Sequence, residues 1–372
     1  DAEGSTKRVN LTRIHMEEDA GKSMHDQDPY NTLVDLNRAG VPLLEIVSEP
    51  EIKTPEEAYQ YVTEVRKLVR YLEICDGNME EGSMRCDANV SVMPKGSETF
   101  GQRAEVKNMN SIRNVQRAIE FEIKRQIDLI ESGGEVHTET RSFDAVAGTT
   151  FSMRSKEMAH DYRYFPEPDL QPVHVTKEMI TEVENTLPPL PNDLFMKYTE
   201  EFGLSAYDAG VLTAEKETAL YFEQIVSETS NYKAACNWLT GDIRSYLNKN
   251  AIKLRDFSLP PKRIAELIEM ISGNKISYTV AAQKLLPLLI QDSDTSAQEI
   301  AEKEGLLHDT DENAIEDFIR KVLNDNPTEV ERYRSGQKQL VGFFMGQVMK
   351  ATMGKADPKT TNKMLQKILD DE

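Results

Sequence analysis

Leu187-Pro188-Pro189-Leu190-Pro191 constrains this chain more than any other stretch. Three prolines in five residues remove backbone donors and fix φ, so neither a helix interior nor a central strand can run through them. Before this linker, stretches of period-two alternation recur. Beyond it, the apolar residues fall at helical spacing. The expectation is an α+β part followed by helical parts, and 372 residues are enough for two or three domains.

Two strand-like stretches dominate the first part. In Met84-Arg85-Cys86-Asp87-Ala88-Asn89-Val90-Ser91-Val92, Ala88, Val90 and Val92 share one face, while Asp87, Asn89 and Ser91 share the other. In Arg103-Ala104-Glu105-Val106-Lys107-Asn108, Ala104 and Val106 oppose Arg103, Glu105 and Lys107. Turn residues Pro94-Lys95-Gly96-Ser97-Glu98 lie between them. A hairpin folded about Gly96 sets Asp87 opposite Glu105. Like charges facing each other on a sheet are destabilising. A neighbouring Arg85, Arg103 or Lys107, a raised pKa, or a divalent cation would each offset that.

Val9 and Leu11, then Ile14 and Met16, alternate in two phases, predicting one strand with a slip near Thr12. It delivers His15, Glu17, Glu18 and Asp19, followed by Gly21-Lys22-Ser23. A phosphate loop would need glycine where Met16 stands, so that motif is excluded. What remains is either a solvated strand end or an acidic cluster for a hard cation. Residues 33–47 read as two short strands joined by a Gly/Pro turn. Thr54-Pro55-Glu56-Glu57 then predicts a helix start with a capping box. Tyr61, Val62, Val65, Leu68, Val69 and Leu72 form its apolar stripe.

Residues 76–83 form a turn feeding the central hairpin. After the hairpin, Lys107-Asn108-Met109-Asn110-Ser111 opens a long helix with Ile112, Val115, Ile119, Ile123, Ile127 and Ile130 on its buried face, ended by Gly133-Gly134. Free N–H groups with a lysine and amides beside them suit an anion, and Asn110 or Ser111 suits ordinary capping. Residues 135–143 and 149–154 read as a second hairpin, and the aromatic, proline-broken stretch 160–169 as a loop.

Beyond the linker, helices are expected over 220–226, 234–247 and 264–271, with Trp238 in the core. A further shift near Asp292-Ser293-Asp294-Thr295-Ser296 introduces helices at 312–324, 340–349 and 359–369. Residues 335–356 contain no Asp or Glu, although the whole chain has a formal net charge of -20. Lys338, Lys350 and Lys355 stand there among Gly342, Gly346 and Phe343. This acid-free stretch is a candidate nucleic-acid backbone contact as well as an amphipathic packing helix. The overall acidity argues against a surface that coats nucleic acid generally. Cys75, Cys86 and Cys236 are scattered, as in a reduced, cytoplasmic protein. No apolar run approaches a membrane span, and no signal peptide is evident.

Taken together, these residues resemble the GatB-like B subunits of tRNA-dependent amidotransferases over essentially the whole chain. The resemblance rests on His15-Met16-Glu17-Glu18-Asp19-Ala20-Gly21-Lys22, Val34-Asp35-Leu36-Asn37-Arg38, Glu45-Ile46-Val47-Ser48-Glu49-Pro50 and Met79-Glu80-Glu81-Gly82-Ser83. It also rests on Arg85-Cys86-Asp87-Ala88-Asn89, Glu105-Val106-Lys107-Asn108, Asp161-Tyr162-Arg163-Tyr164-Phe165-Pro166-Glu167-Pro168-Asp169, and the tail stretch 342–350.

The resemblance implies an α+β cradle domain over 1–186, a helical domain over 187–295 and a small YqeY-like helical tail over 296–372 that binds tRNA. It implies a chain that uses ATP and Mg²⁺ to phosphorylate the side-chain carboxylate of Glu-tRNA(Gln) or Asp-tRNA(Asn). A partner amidase, the GatA-like component, supplies ammonia from glutamine. A small GatC-like component ties the two together, in a cytoplasmic heterotrimer with no membrane partner. Glu18, Asp87 and Glu105 take catalytic positions, and with Glu17 they match the metal cluster. Lys107, Asn108 and Asn110 at the helix start are then the candidate phosphate contacts, and Lys338, Lys350 and Lys355 of the acid-free stretch are the candidate tRNA contacts in the tail. The family's opening strand, with a Glu-x-His motif, has no counterpart here. The expectation is therefore an incomplete metal site, an upstream part absent, and weak or absent ATP-dependent activity from these residues alone. A non-catalytic tRNA scaffold is the runner-up reading. A ligase acting on a small molecule is weaker, because it gives no reason for the helical extension.

Overall fold

Among the described residues, eight strands precede residue 153 and every later regular element is a helix. The structure is a computed structural model and describes residues 6–25, 27–153, 171–308, 312–352 and 356–371. The chain divides into two compact units, Asp1–Leu190 and Pro191–Glu372.

In the first unit, β1 (Leu11–Glu18) pairs antiparallel with β4 (Pro42–Ser48), and β2 (Lys22–Met24) pairs with β3 (Leu33–Asp35). The β1 ladder shifts between Leu11 and Arg13, where the change of alternation at Thr12 predicts a slip. A four-stranded sheet follows in the order β5 (Ala88–Val90), β6 (Ala104–Lys107), β7 (Glu139–Asp144) and β8 (Thr149–Ser152). The β6–β7 pair is parallel and the outer two pairs are antiparallel. A parallel pair needs a crossover, and helix α2 (Ile112–Glu131) supplies it. Helix α1 (Pro55–Tyr71) packs against α2, and helix α3 (Lys177–Thr186) precedes the proline linker. Val62, Val90, Val106, Met109, Val115, Ala118 and Phe143 form the core between sheet and helices.

Four expectations change here. First, the central hairpin slips by two residues: Asn89, not Asp87, lies opposite Glu105, and Ala88 faces Val106. A shift of two keeps every side chain on its expected face, so Val90 and Val106 are still buried. Second, the strands are shorter than the alternation suggests, because pairing covers only residues 88–90 and 104–107.

Third, Thr54 caps α1 by accepting from the Glu57 N–H, but the Glu57 carboxylate accepts from the Lys53 N–H and pairs with Lys7. The reciprocal half of the capping box is not made with Thr54. Fourth, the buried face of α2 rotates along its length. Val115, Ala118, Glu122 and Gln126 are buried, while Ile127 and Ile130 are 41% and 48% exposed. Glu122 can go inside because Arg125, Gln126 and Thr150 all donate to its carboxylate, and buried charge is tolerated when paired and hydrogen-bonded. In the same network Gln126 donates to the Val90 carbonyl, tying α2 to β5.

In the second unit, helices Lys216–Val226 and Pro261–Ser272 bury Phe222, Ile225, Ile264 and Leu267. The helix expected over 234–247 is Tyr232–Trp238 and Arg244–Asn250, joined by a wider π turn at Leu239–Ile243. Trp238 is core, 1% exposed, with its ring 5.2 Å from that of Tyr278. The last helices are Glu312–Asp325, Pro327–Arg334, Val341–Ala351 and Pro358–Asp371. The second of these was not expected: Pro327 opens it and Tyr333 anchors it. They share a core of Ile315, Ile319, Phe344, Val348 and Leu365. Among the described residues no helix is long and apolar enough to cross a membrane, and Cys75, Cys86 and Cys236 are free thiols.

Candidate functional site

Two groups of polar side chains stand on the sheets of the first unit. The first is on the β5–β6 hairpin. Alternation puts Glu105 and Lys107 on the same face of β6, while Ala104 and Val106 go to the core. The antiparallel register brings Asp87, just before β5, to the end of β6. The Lys107 ammonium lies 2.7 Å from the Asp87 carboxylate and 3.1 Å from that of Glu105. The other Glu105 oxygen accepts from the Thr140 hydroxyl at 3.1 Å. Of the three offsets open for this acid pair, Lys107 therefore supplies one. Burial opposes its charge, but Asp87 and then Glu105 outweigh burial and hold the ammonium above the usual Lys range. A cation approaching these two carboxylates would have to displace that ammonium.

Beside them, burial and the Asp87 charge push the Cys86 thiol up to about 12. A thiol that stays protonated is a packing group, not a nucleophile.

The second group is on β1 and β4. His15 and Glu17 are two residues apart on β1, hence on one face, and Glu45 of β4 pairs directly with His15. One ligand atom from each lies within 4.8 Å of the others. His15 Nδ1 is 4.0 Å from Glu45 Oε2, and Arg13 also reaches that oxygen at 2.9 Å. An imidazole with two carboxylates fits a divalent cation: the oxygens suit Mg²⁺ and the imidazole a somewhat softer ion.

Of the expected metal residues, Glu17 belongs to this group. Glu18 pairs with Pro42 on the strand beyond it, and Asp87 and Glu105 are held by Lys107. Glu45, the third member of this group, was not among the expected residues. Its signal is that it is the one charged residue in Leu43-Leu44-Glu45-Ile46-Val47.

At the start of α2, Ser111 rather than Asn110 is the cap and accepts from the Asn114 N–H. Asn110 accepts from the Asn114 side chain. Asn108 takes a left-handed conformation, φ 68°, which asparagine tolerates better than most residues. It thereby turns the chain so that Met109 is buried between exposed Asn108 and Asn110. The helix has no acidic residue in its first turn, which suits an anion there.

In the tail, Lys338 lies 2.7 Å from Asp370 and over the Tyr333 ring. Lys350 is exposed near the end of its helix, and Gly342 and Gly346 face open space. Lys355 and the 160–169 loop lie outside the described residues.

The first unit thus carries a carboxylate–ammonium triad on its four-stranded sheet and a separate His/Glu group on the two-stranded β1–β4 sheet, and the second unit is helical. Family models agree with that division. The GatB/GatE catalytic domain matches residues 1–181, and the GatB domain matches residues 220–369. The chain is 50% identical over 369 residues to a protein of Halorhodospira halophila named as the B subunit of aspartyl/glutamyl-tRNA(Asn/Gln) amidotransferase, covering 99% of this chain and 77% of that one. Identity is 51% over 369 residues to the like-named protein of Alkalilimnicola ehrlichii, again 99% and 77%. It is 50% over 370 residues to that of Chlorobaculum tepidum, 100% and 77%. The chain belongs to the GatB family.

Proposed function

We propose that this chain acts as the B subunit of a glutamine-dependent aspartyl/glutamyl-tRNA amidotransferase. The observation that carries the reading is the 50% identity to a protein of that name over 99% of the chain. A tRNA-bound carboxylate is a poor acyl donor, because its leaving group would be oxide. Its oxygen attacks the γ-phosphorus of ATP and ADP leaves. Ammonia then attacks the carbonyl carbon, inorganic phosphate leaves, and the amide of Gln-tRNA or Asn-tRNA remains. Phosphoryl transfer of this kind depends on positioning and charge neutralisation more than on a protein nucleophile.

The His15, Glu17 and Glu45 group supports a cation site, and Mg²⁺ bound there would neutralise phosphate oxygens. Lys107 has the charge to hold a phosphate oxygen, with Asp87 and Glu105 keeping it protonated and aimed. Asn108, Asn110 and the start of α2 offer further anion contacts. Glu18 lines the same end of β1 as Glu17.

The assembly contains a GatA-like amidase, the source of ammonia, and a small GatC-like component. Cytoplasmic placement accords with the free cysteines. We divide the chain into a cradle domain over 1–186, a helical domain over 187–295 and a YqeY-like tail over 296–372. The tail binds tRNA through Lys338, Lys350 and Lys355. A non-catalytic scaffold is disfavoured, because the catalytic-domain match covers residues 1–181.

The test is ATP-dependent formation of Gln-tRNA from Glu-tRNA(Gln) by the reconstituted assembly, comparing parent with Asp87→Ala, Glu105→Ala and Glu45→Gln. Loss of turnover with tRNA binding kept supports the reading. Full turnover in all three variants removes these residues from the site, and failure of the chain to support Gln-tRNA or Asn-tRNA formation in the assembly overturns the reading.

A further inference from the structure

Arg38 lies in the turn between β3 and β4, far in sequence from the β5–β6 hairpin. Its Nε is 2.8 Å from the Asp19 carboxylate, and its Nη1 donates to the Gly82 carbonyl at 3.1 Å. Asp19 is the residue after the acid-bearing end of β1, and its side chain is only 20% exposed. Two backbone bonds fix it as well, from its own N–H to the Val41 carbonyl and from the Gly40 N–H to its carbonyl.

Gly82 lies in a hydrogen-bonded loop that leads to Asp87. In that loop Asp76 accepts from the Asn78 N–H, the Asn78 side chain accepts from the N–H groups of Glu80 and Glu81, and the Met84 N–H closes back on the Asn78 carbonyl. Gly82 itself has φ 78°, and a Cβ there would come within 3.6 Å of Arg38 Nη1. One guanidinium thus bridges the strand end that carries Glu17 to the loop that feeds Asp87.

A two-stranded sheet such as β1–β4 has little rigidity of its own. Its direction relative to the larger sheet is set by ties at its ends. At the start of β1 a tie runs from Lys7 to Glu57 of α1, while the bond from Asn10 to Glu51 closes the β1–β4 pair on itself. At the acid-bearing end the tie is Arg38, whose planar fork can serve a carboxylate and a carbonyl together, as a lysine cannot.

We infer that Arg38 is a positioning residue, which aligns the His15, Glu17 and Glu45 group with the Asp87, Lys107 and Glu105 group so that both act on one substrate. This rests on the reaction proposed above.

The test uses Arg38→Gln, Arg38→Lys and Glu45→Gln in the full assembly, with Mn²⁺ binding and the unfolding midpoint of each chain measured beside turnover. For Arg38→Gln we expect kcat to fall at least about tenfold, since small misplacements of reacting groups are costly. The KM for ATP and the Mn²⁺ affinity should stay within about twofold of parent, because each group is intact. Arg38→Lys should fall between Arg38→Gln and parent. The inference is overturned if Arg38→Gln keeps kcat while Glu45→Gln loses it. It is equally overturned if Mn²⁺ affinity and unfolding midpoint drop together with kcat, since Arg38 would then be a general structural support. Loss in Arg38→Gln with full turnover in Glu45→Gln overturns it as well, since the β1–β4 group that Arg38 is inferred to align would then be no part of the site, while the proposed amidotransferase reaction would stand.

Discussion

Lys107 reaches Asp87 at 2.7 Å across the end of the β5–β6 ladder and touches Glu105 on its own strand at 3.1 Å. One ammonium therefore serves two carboxylates, and removing it leaves two like charges together. Lys107→Met should reduce amidotransferase turnover by about a hundredfold or more, the usual size of a lost charge-stabilising donor. The stability change should be small, about 0.5 kcal/mol, because all three side chains are partly exposed. The Lys107 pKa is raised in the fold. Its contribution is thus fully present below the unfolded Lys value near about 10.4 and is lost as pH rises through the folded value. Urea unfolding at about pH 8 and about pH 11 checks both size and sign.

Glu45→Gln should weaken Mn²⁺ binding by about tenfold or more, at least the loss typical of disturbing a ligand's support. Titration of Mn²⁺ followed by its spin-resonance signal measures it. Unchanged affinity would remove the β1–β4 group from consideration as a cation site.

Glu122 has no exposed side-chain surface, and Arg125, Gln126, Arg141 and Thr150 surround its carboxylate. Glu122→Ala should cost about 3 kcal/mol, because it strands charge beneath the sheet. Desolvation raises the Glu122 pKa, but the bonds from Arg125, Gln126 and Thr150 overcome it and the net shift is down. Its stabilisation is therefore present above the unfolded carboxylate value and fades as pH falls through the lower folded one. Denaturant midpoints of parent and variant at neutral pH give the magnitude.

Asp357 caps the last helix by accepting from the Thr360 N–H and hydroxyl, and it accepts a bond from Asn274 in the loop after helix Pro261–Ser272. Burial alone would raise its pKa. The bonds from Asn274 and Thr360 bring it down to about 2. Its stabilising effect holds above the unfolded value near about 4 and is lost between there and about 2. Asp357→Asn should flatten that part of the stability profile and lower the unfolding midpoint at pH 7. A profile identical to parent would show that the cap contributes nothing.

Lys350→Ala should weaken tRNA binding and reduce the slope of log affinity against log salt by about 0.7 to 0.9, the value for one phosphate contact. Lys338→Ala should change the slope less, because Asp370 already compensates that charge at 2.7 Å. Filter binding over a salt series distinguishes them.

The local features were legible because they depend on neighbours in sequence. Thr54 and Ser111 are the caps of α1 and α2, and Gly133 ends α2 with φ 83°. Each can be read from a residue type next to a change of period. The site was legible in part. Asp87, Glu105 and Lys107 stand out by alternation as polar residues on one side of the hairpin, although Asp87 does not lie opposite Glu105, whereas Glu45 becomes a neighbour of His15 only when β4 lies against β1.

The sequence by itself determined the faces of β5 and β6, the break at the prolines, the slip at Thr12 and the helical second half. All of these follow from period, propensity and backbone chemistry within a few residues. Tertiary structure alone decided that Lys107 meets Asp87, that Glu122 and Gln126 go inside while Ile127 and Ile130 stay out, and that Arg38 reaches Gly82. The physical reason is register. A two-residue slip leaves every face unchanged and every cross-strand pair different. Only the packing of helices and strands distant in sequence selects between such registers.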